Sequence, residues 1–181
     1  MSGVQGFIVT LRGTLAAIVL LTGVFISNTA GAELIPFARA KQLCTSGYAG
    51  PKTRSIPSAT EAANLKIMYA WSCLALIEGT PRQAFGLYVA KDFCDHSTRI
   101  TLGLKKCAGY DETEQMFIQR GIQLHPDGTI EFPVVSTVKG DIIRQYGGGV
   151  NVWRVHNGKI TDHWTGATEA EEAKIKPSPT Q

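Results

Sequence analysis

Five polar side chains lie where chemistry is possible: His96, Asp141, Asn151, Asp162 and His163. Removing a proton beside a carbonyl needs one base in an apolar pocket and one donor for the enolate oxygen that forms. Burial raises a carboxylate's pKa toward that task, histidine already titrates near neutrality, and preorganised donors stabilise the oxyanion. His96, in Asp95-His96-Ser97, is one such base; the competing reading has it tie a helix end to a neighbouring loop. Paired with Asp162 or His163, it would make up the catalytic set. Asn151, Trp153, Trp164 and Tyr88 would hold a ligand, the amide by hydrogen bonding and the rings by apolar contact. Asp141 follows Gly140 and is expected only to cap a turn. Arg154 is expected on the surface, paired with Glu131 across strands.

Which of these residues share a face depends on one hairpin. Asn157-Gly158 is the strongest hairpin signal in the chain. A two-residue turn puts Asn151, Trp153, Val155, Ile160, Asp162 and Trp164 together, and this more apolar set is expected to face the helices. A three-residue turn with a bulge would shift the pairing by one residue, so that His163 and Thr165 join Asn151 and Trp153. The sequence favours the first arrangement.

The elements that position these residues have readable boundaries. Residues 33–57 lack a sustained period and read as an irregular arm, with a short helical piece around Phe37 to Leu43. Ser58 and Glu61 form a capping box for a helix carrying Leu65, Met68, Trp71 and Leu74, closed by Gly79 as a left-handed cap. Thr80, Pro81 and Gln83 open a second helix with Ala84, Phe85, Tyr88 and Val89 on its apolar face. Asp111 and Glu114 open a third, with Met116, Phe117, Ile118 and Ile122, closed at His125-Pro126. Strands are expected over Thr129–Val138, with Pro133 at an edge or bulge, then Ile142–Tyr146, Val150–His156 and Lys159–Thr165. Residues 169–181 read as a solvated, flexible tail. Helices followed by a meander define an α+β order. A cone-shaped barrel is expected, three helices packed in a curved antiparallel sheet, with a pocket at its open end.

The chain has 181 residues, 44% hydrophobic and 18% charged, with a formal net charge of +3. That is an ordinary globular balance. The basic residues are scattered, and Lys105-Lys106 is the longest basic run, which argues against a nucleic-acid partner. Residues 1–32 hold one basic residue, Arg12, an apolar run from Leu15 to Ile26, and Ala30-Gly31-Ala32. They read as a secretory signal cut before Glu33, with an uncleaved anchor as the alternative. A periplasmic or secreted location follows, with membrane contact only through this segment. In such a compartment Cys44, Cys73, Cys94 and Cys107 are candidates for disulfides. Cys94–Cys107, closing one loop, is the favoured pair and would contribute about 3 kcal/mol in a chain-entropy picture. Cys73, in mid-helix, could instead be a buried free thiol, and the pairing of Cys44 stays open. Cys94, His96 and Cys107 are conceivable metal ligands, but no CxxC or HxxxH pair supports them, and neither a metal nor a cofactor is expected.

The segment Gly79-x-Pro81-x-x-Ala84-x-x-x-Tyr88-Val89-Ala90-x-Asp92-Phe93-x-x-His96 resembles the second-helix region of the nuclear transport factor 2-like superfamily, in particular its SnoaL-like (polyketide cyclase-like) members. Gly140-Asp141 and the run Asn151-Val152-Trp153-Arg154-Val155-His156-Asn157-Gly158-Lys159-Ile160-Thr161-Asp162-His163-Trp164 resemble the same group. The resemblance covers about residues 58–168. It implies a cone-shaped α+β barrel, often a homodimer, in a group that includes cyclases, isomerases and non-catalytic binding proteins. Two departures stand out. Asn151 replaces a frequent aspartate, and Thr165-Gly166-Ala167-Thr168 lacks the carboxylate that catalytic relatives carry after His-Trp. The expected function is binding of a small, largely apolar carbonyl-type molecule, with cyclase, isomerase or aldol-type activity as one reading. The alternative is a non-catalytic ligand-binding or dimerising structural module. For export, N-terminal sequencing of the mature protein is expected to start at Glu33; a membrane-bound product that keeps Met1 would refute cleavage.

Overall fold

The computed structural model describes residues 33–46, 52–53, 55–97, 107–146, 150–166 and 172–179. The expected signal segment, residues 1–32, lies outside the described residues. Among the described residues no helix is long and apolar enough to cross a membrane. The chain is a mixed α+β fold. Its elements are β1 (Glu33–Pro36), α1 (Phe37–Thr45), β2 (Lys52–Thr53), α2 (Ala59–Ser72) continuing as a π-helical stretch over Cys73–Ile77, α3 (Pro81–Tyr88), β3 (Val89–Asp95), α4 (Tyr110–Arg120), β4 (Thr129–Phe132), β5 (Val135–Lys139), β6 (Ile142–Tyr146), β7 (Val150–His156) and β8 (Lys159–Thr165).

Two sheets form. The larger has the order β2-β5-β6-β7-β8-β3, and β1 pairs with β4 in the smaller. The meander β5 to β8 is antiparallel, while β2 runs parallel to β5 and β3 parallel to β8. Proline explains the split between β4 and β5: Pro133 cannot donate to a ladder, and the expected single strand over Thr129–Val138 breaks there into two that pair in different sheets.

The start of α2 translates well, whereas the third expected helix, α4, spans Tyr110–Arg120 and stops at Gly121, short of the expected His125-Pro126. Ser58 Oγ accepts from the Glu61 N–H at 3.3 Å, and Glu61 returns the bond from the Ser58 N–H at 2.9 Å. The other Glu61 carboxylate oxygen accepts from the Gly140 N–H at 2.8 Å, so one side chain ties the helix start to the β5–β6 turn. Gly79 has φ +69°, a conformation that costs glycine nothing. Thr80 departs from expectation. Its hydroxyl donates to the Leu74 carbonyl at 3.1 Å instead of capping α3. The second helix also ends earlier than its apolar pattern suggests, and Val89 to Asp95 form strand β3 at the sheet edge.

The main core joins α2, α3 and the sheet. Leu65, Met68, Trp71, Phe85, Ile143 and Ile160 are all buried in it. The short helical piece expected around Phe37 to Leu43 is present as α1, and it is part of a second core. Ile35 and Ala40 pack with Tyr69, Ile77, Ile130 and Phe132. The Cys44–Cys73 disulfide, Cα–Cα 5.7 Å, bolts α1 to the π-helical stretch, so Cys73 is not a free thiol. Cys94–Cys107 is bonded as expected, Cα–Cα 5.4 Å. Two disulfides suit an oxidising environment outside the cytoplasm.

The tail also differs from expectation. Residues 172–179 lie on the outer face of the sheet, where Ile175 packs with Ile142 and Val152, with Trp164 at the margin. Glu172 pairs with Arg144 at 2.6 Å, and Asp141 accepts from the Ser178 N–H and Oγ–H at 2.9 and 2.6 Å. The exposed Ile142 and Val152 side chains of a bare sheet would favour such a cover. Replacing Cys44 and Cys73 together with serine should cost about 3–4 kcal/mol in a chain-entropy picture, given their separation of 29 residues. Urea denaturation reads this loss, and an unchanged midpoint would show that the arm is held by packing alone.

Candidate functional site

Strand register builds the site. Asn157 and Gly158 have φ of 49° and 74°, which is the left-handed pair a two-residue hairpin turn requires. His156 pairs with Lys159 and Val155 with Ile160, as the two-residue turn dictates. Beyond that point the register shifts by one: Arg154 faces Asp162, Trp153 faces His163 and Asn151 faces Thr165. Thr161 is the extra residue of a bulge. Ile160 therefore points into the core near the turn, and His163 points in further along. The expectation that Asp162 and Trp164 face the helices is corrected on this ground, for the bulge inverts every position after Thr161.

Parallel pairing of β3 with β8 then sets Asp95 beside His163 and Cys94 beside Asp162. Alternation sends Asp95 and Ser97 to the inner face, and Cys94 and His96 to the outer one.

On the inner face, the Asp95 carboxylate is fully buried and lies 3.1 Å from His163 Nδ1. Its other oxygen accepts the Ser97 N–H at 2.9 Å. Burial pushes the Asp95 carboxyl up, but the hydrogen bond and charge of His163 and the bonds from Ser97 outweigh it, leaving the group below its ordinary range. Trp153 stacks on the His163 ring at 3.8 Å between centroids. The indole N–H of Trp153 donates to Gln145 Oε1 at 2.9 Å. His163 Nε2 is 2.9 Å from Thr165 Oγ1, which is 2.8 Å from Asn151 Oδ1.

This chain of contacts accommodates two proton states. With both ring nitrogens protonated, His163 donates to Asp95 and to Thr165, and the Thr165 hydroxyl donates to Asn151 Oδ1. With Nε2 bare, the Thr165 hydroxyl donates to the ring, and Asn151 answers with its NH₂ after an amide flip. His163 can thus gain or lose a proton without orphaning a partner.

The group opens on a cavity of about 230 Å³. Trp71, Leu76, Met116, Phe117, Phe132 and Pro133 form its apolar wall, and Arg120 and Glu131 line it with them. A neighbouring cavity of about 430 Å³ shares Leu76, Phe117, Arg120 and Glu131. The first is smaller than the roughly 300–1,000 Å³ typical of drug-sized ligands, which restricts it to a compact molecule.

The sequence-derived candidates divide between two places. His163, Asn151 and Trp153 line the cavity. His96, Asp162 and Trp164 do not; they form a separate group on the outer face. There His96 Nε2 is 3.0 Å from Asp162 Oδ1, and the His96 and Trp164 rings stack at 4.6 Å and 6°. Burial pushes the Asp162 carboxyl up, but bonds from His96 and Thr161 and the charges of Arg154 and His96 hold it below its ordinary range. Arg154 pairs with Asp141 and Asp162, each at 3.5 Å, instead of Glu131, which lies 4.0 Å from His125. Tyr88 is half-buried against the main core at the end of α3 and is not a cavity residue. Cys94, His96 and Asp162 offer donor atoms within 4.8 Å of one another. Because the Cys94 sulfur is spent on the disulfide, this is not a ligand set for a metal as it stands. Sequence reasoning missed Asp95, although the Asp-x-Ser spacing of Asp95-His96-Ser97 is the signature of a side chain that accepts from the backbone two residues on.

No family model matches the chain, and no curated protein matches it.

The depressed Asp95 carboxyl sets a pH dependence. The unfolded chain holds that proton more tightly, so the contribution is complete above about pH 4 and is lost as pH falls through the native titration. Asp95→Asn should therefore destabilise the protein most at pH 6, and its difference from wild type should narrow below about pH 4. Urea midpoints from pH 6 down to 2.5 test this, since the other carboxylates cancel in the comparison. A constant difference across the range would refute a charged Asp95.

Proposed function

We propose that this chain is a SnoaL-like, cone-shaped α+β domain that binds a compact, largely apolar carbonyl compound and moves a proton on it through His163. The observation that carries this is the buried Asp95–His163 pair at one end of an apolar cavity. A cavity plugged by aromatic side chains would have favoured a structural module. Here Trp153 and Phe117 line a space and do not fill it. The resemblance to SnoaL-like proteins and the α+β order with its meander support the family reading.

The roles follow from the geometry. His163 Nε2 takes the proton from the carbon beside the carbonyl once Thr165 rotates away or relays it. Asp95 keeps the ring oriented and balances the charge it acquires, the role a carboxylate serves behind any histidine base. Once His163 holds the proton, Thr165 donates to Asn151 Oδ1, and among the described residues the Asn151 NH₂ has no partner, which leaves it for the enolate oxygen formed in the same step. The base expected after His-Trp in catalytic relatives is thus replaced by the histidine of that motif, backed by an aspartate from β3. His96 and Asp162, on the outer face, take no part.

2-Tetralone is a suitable probe, being compact, apolar and acidic at carbon. Quenching of the Trp71 and Trp153 fluorescence measures binding, and loss of its α-proton signals in D₂O, followed by NMR, measures proton transfer. His163→Phe keeps the stack on Trp153 and removes the base; exchange should fall by about 10²–10⁴-fold with binding nearly retained. Binding without enzyme-dependent exchange in wild type would leave a non-catalytic binding protein. Neither signal at millimolar probe would overturn the assignment.

A further inference from the structure

The outer-face group has no part in that reading, yet its arrangement has chemical content. His96 Nδ1 lies 3.8 Å from Cys94 Sγ, within reach of a hydrogen bond to sulfur, while Nε2 meets Asp162 at 3.0 Å. The far oxygen of Asp162 accepts from the Thr161 hydroxyl at 2.9 Å, which fixes the carboxylate. Trp164 stacked on the ring fixes the imidazole. Sulfur, imidazole and carboxylate stand in the order that activates a cysteine nucleophile, except that the sulfur is bonded to Cys107.

We infer that Cys94–Cys107 is a thiol-exchanging disulfide, opened by small dithiols, in which His96 and Asp162 stabilise Cys94 as the departing thiolate. An incoming thiolate attacks Cys107 Sγ and forms a mixed disulfide. The Cys94–Cys107 bond breaks with its electron pair going to Cys94 Sγ. A proton on His96 Nδ1, with Nε2–H held by Asp162, pairs with that sulfur. The second thiolate of the dithiol then attacks its own sulfur in the mixed disulfide, frees Cys107 as thiolate, and leaves as a cyclic disulfide. Two electrons have passed from the dithiol to the cysteine pair. Exchange runs faster when the leaving sulfur is the better-stabilised anion, and a neighbouring imidazolium provides that.

Access and contrast both favour this pair. Cys94, Cys107, His96 and Asp162 are all half-buried, open in part to solvent. Cys44–Cys73 lies in an apolar cluster, with Cys44 half-buried and Cys73 buried against Ile35, Tyr69 and Ile77. It is an internal reference for a disulfide held by packing. The exchange is independent of the proposed proton transfer, since no ligand of the cavity enters it. The Cys94–Cys107 bond lies directly beside the Asp95–Ala108 bridge, each cysteine preceding a bridge residue by one.

The test uses the oxidised, folded protein with dithiothreitol, acid quenching, alkylation of free thiols and mass mapping of each pair. Cys94–Cys107 should open first. His96→Phe, which retains an aromatic ring against Trp164, should slow that opening about tenfold and leave the Cys44–Cys73 rate unchanged. Asp162→Asn should slow it in the same selective way, and carries the comparison if the first variant fails to fold. Equal rates for the two disulfides in wild type would overturn the inference. So would an unchanged Cys94–Cys107 rate in the variants, or a change shared by both pairs.

Discussion

The pairing of β3 alongside β8 is the constraint on which both polar groups depend. It is parallel, it lies at the edge of the six-stranded sheet, and it sets Asp95 opposite His163 and Cys94 opposite Asp162. Because side chains alternate along a strand, a single register assigns four titratable groups to two faces. The Asp95 N–H and carbonyl are further held by Ala108, each at 2.8 Å, and the His96 N–H donates to the His163 carbonyl at 2.7 Å. Backbone bonds on both sides thus fix the Asp95 carboxylate to a position its burial alone would oppose.

Energetically that position needs explanation. A carboxylate with no exposed surface costs several kcal/mol of desolvation, which its partners must outweigh. An apolar pair of similar volume would pack against Trp153 and Phe93 with no such cost. A buried ion pair is weak grounds for stability, and here it borders a cavity and touches a hydroxyl that is bonded in turn to the Asn151 amide. Packing alone does not require those features. The wall opposite is built from α2 and α4, where Trp71 meets Phe117 edge-on at 5.2 Å. The apolar side of the cavity is therefore continuous with both cores, through Trp71 and through Phe132.

Local signals in the chain were legible where one residue type has one physical use. Asn157-Gly158, Gly79, the Ser58–Glu61 box and the Cys94–Cys107 loop all belong to that class. Thr161 does not. Nothing in its side chain distinguishes an ordinary strand position from the extra residue of a bulge, and both faces of Lys159–Thr165 hold mixed polarity. The two-residue turn is legible, but the register beyond it is not: the polarity pattern points Asp162 and Trp164 inward, and the bulge turns them out and His163 in. Strand β3 was hidden for a related reason: Tyr88-Val89-Ala90 continues the apolar face of α3, and only tertiary pairing ends the helix at Tyr88. The segment 172–179 carries prolines and charges that suggest solvation, yet Glu172 meets Arg144, Ser178 meets Asp141 and Ile175 is buried on the outer face. The Cys44–Cys73 bond required knowing that α1 folds back onto the π-helical stretch, which no spacing encodes.

The two strands carry the same dipeptide, Asp95-His96 on β3 and Asp162-His163 on β8, and this repetition bears on why the register holds. In the observed pairing each face receives one aspartate and one histidine, Asp95 with His163 inside and His96 with Asp162 outside. Slipping β8 by one residue against β3 would instead set Asp95 against Asp162 and His96 against His163. The buried face would then hold two carboxylates a few ångströms apart, and at least one would have to be neutral. The outer face would lose the carboxylate that orients His96 toward Cys94. Hydrophobic patterning discriminates poorly here, because Thr161, Asp162, His163 and Trp164 are acceptable to either face by size. Charge complementarity discriminates strongly, and it does so on both faces at once. The bulge at Thr161 reconciles that electrostatic register with the turn at Asn157-Gly158, which on its own would have paired the hairpin one residue out of step.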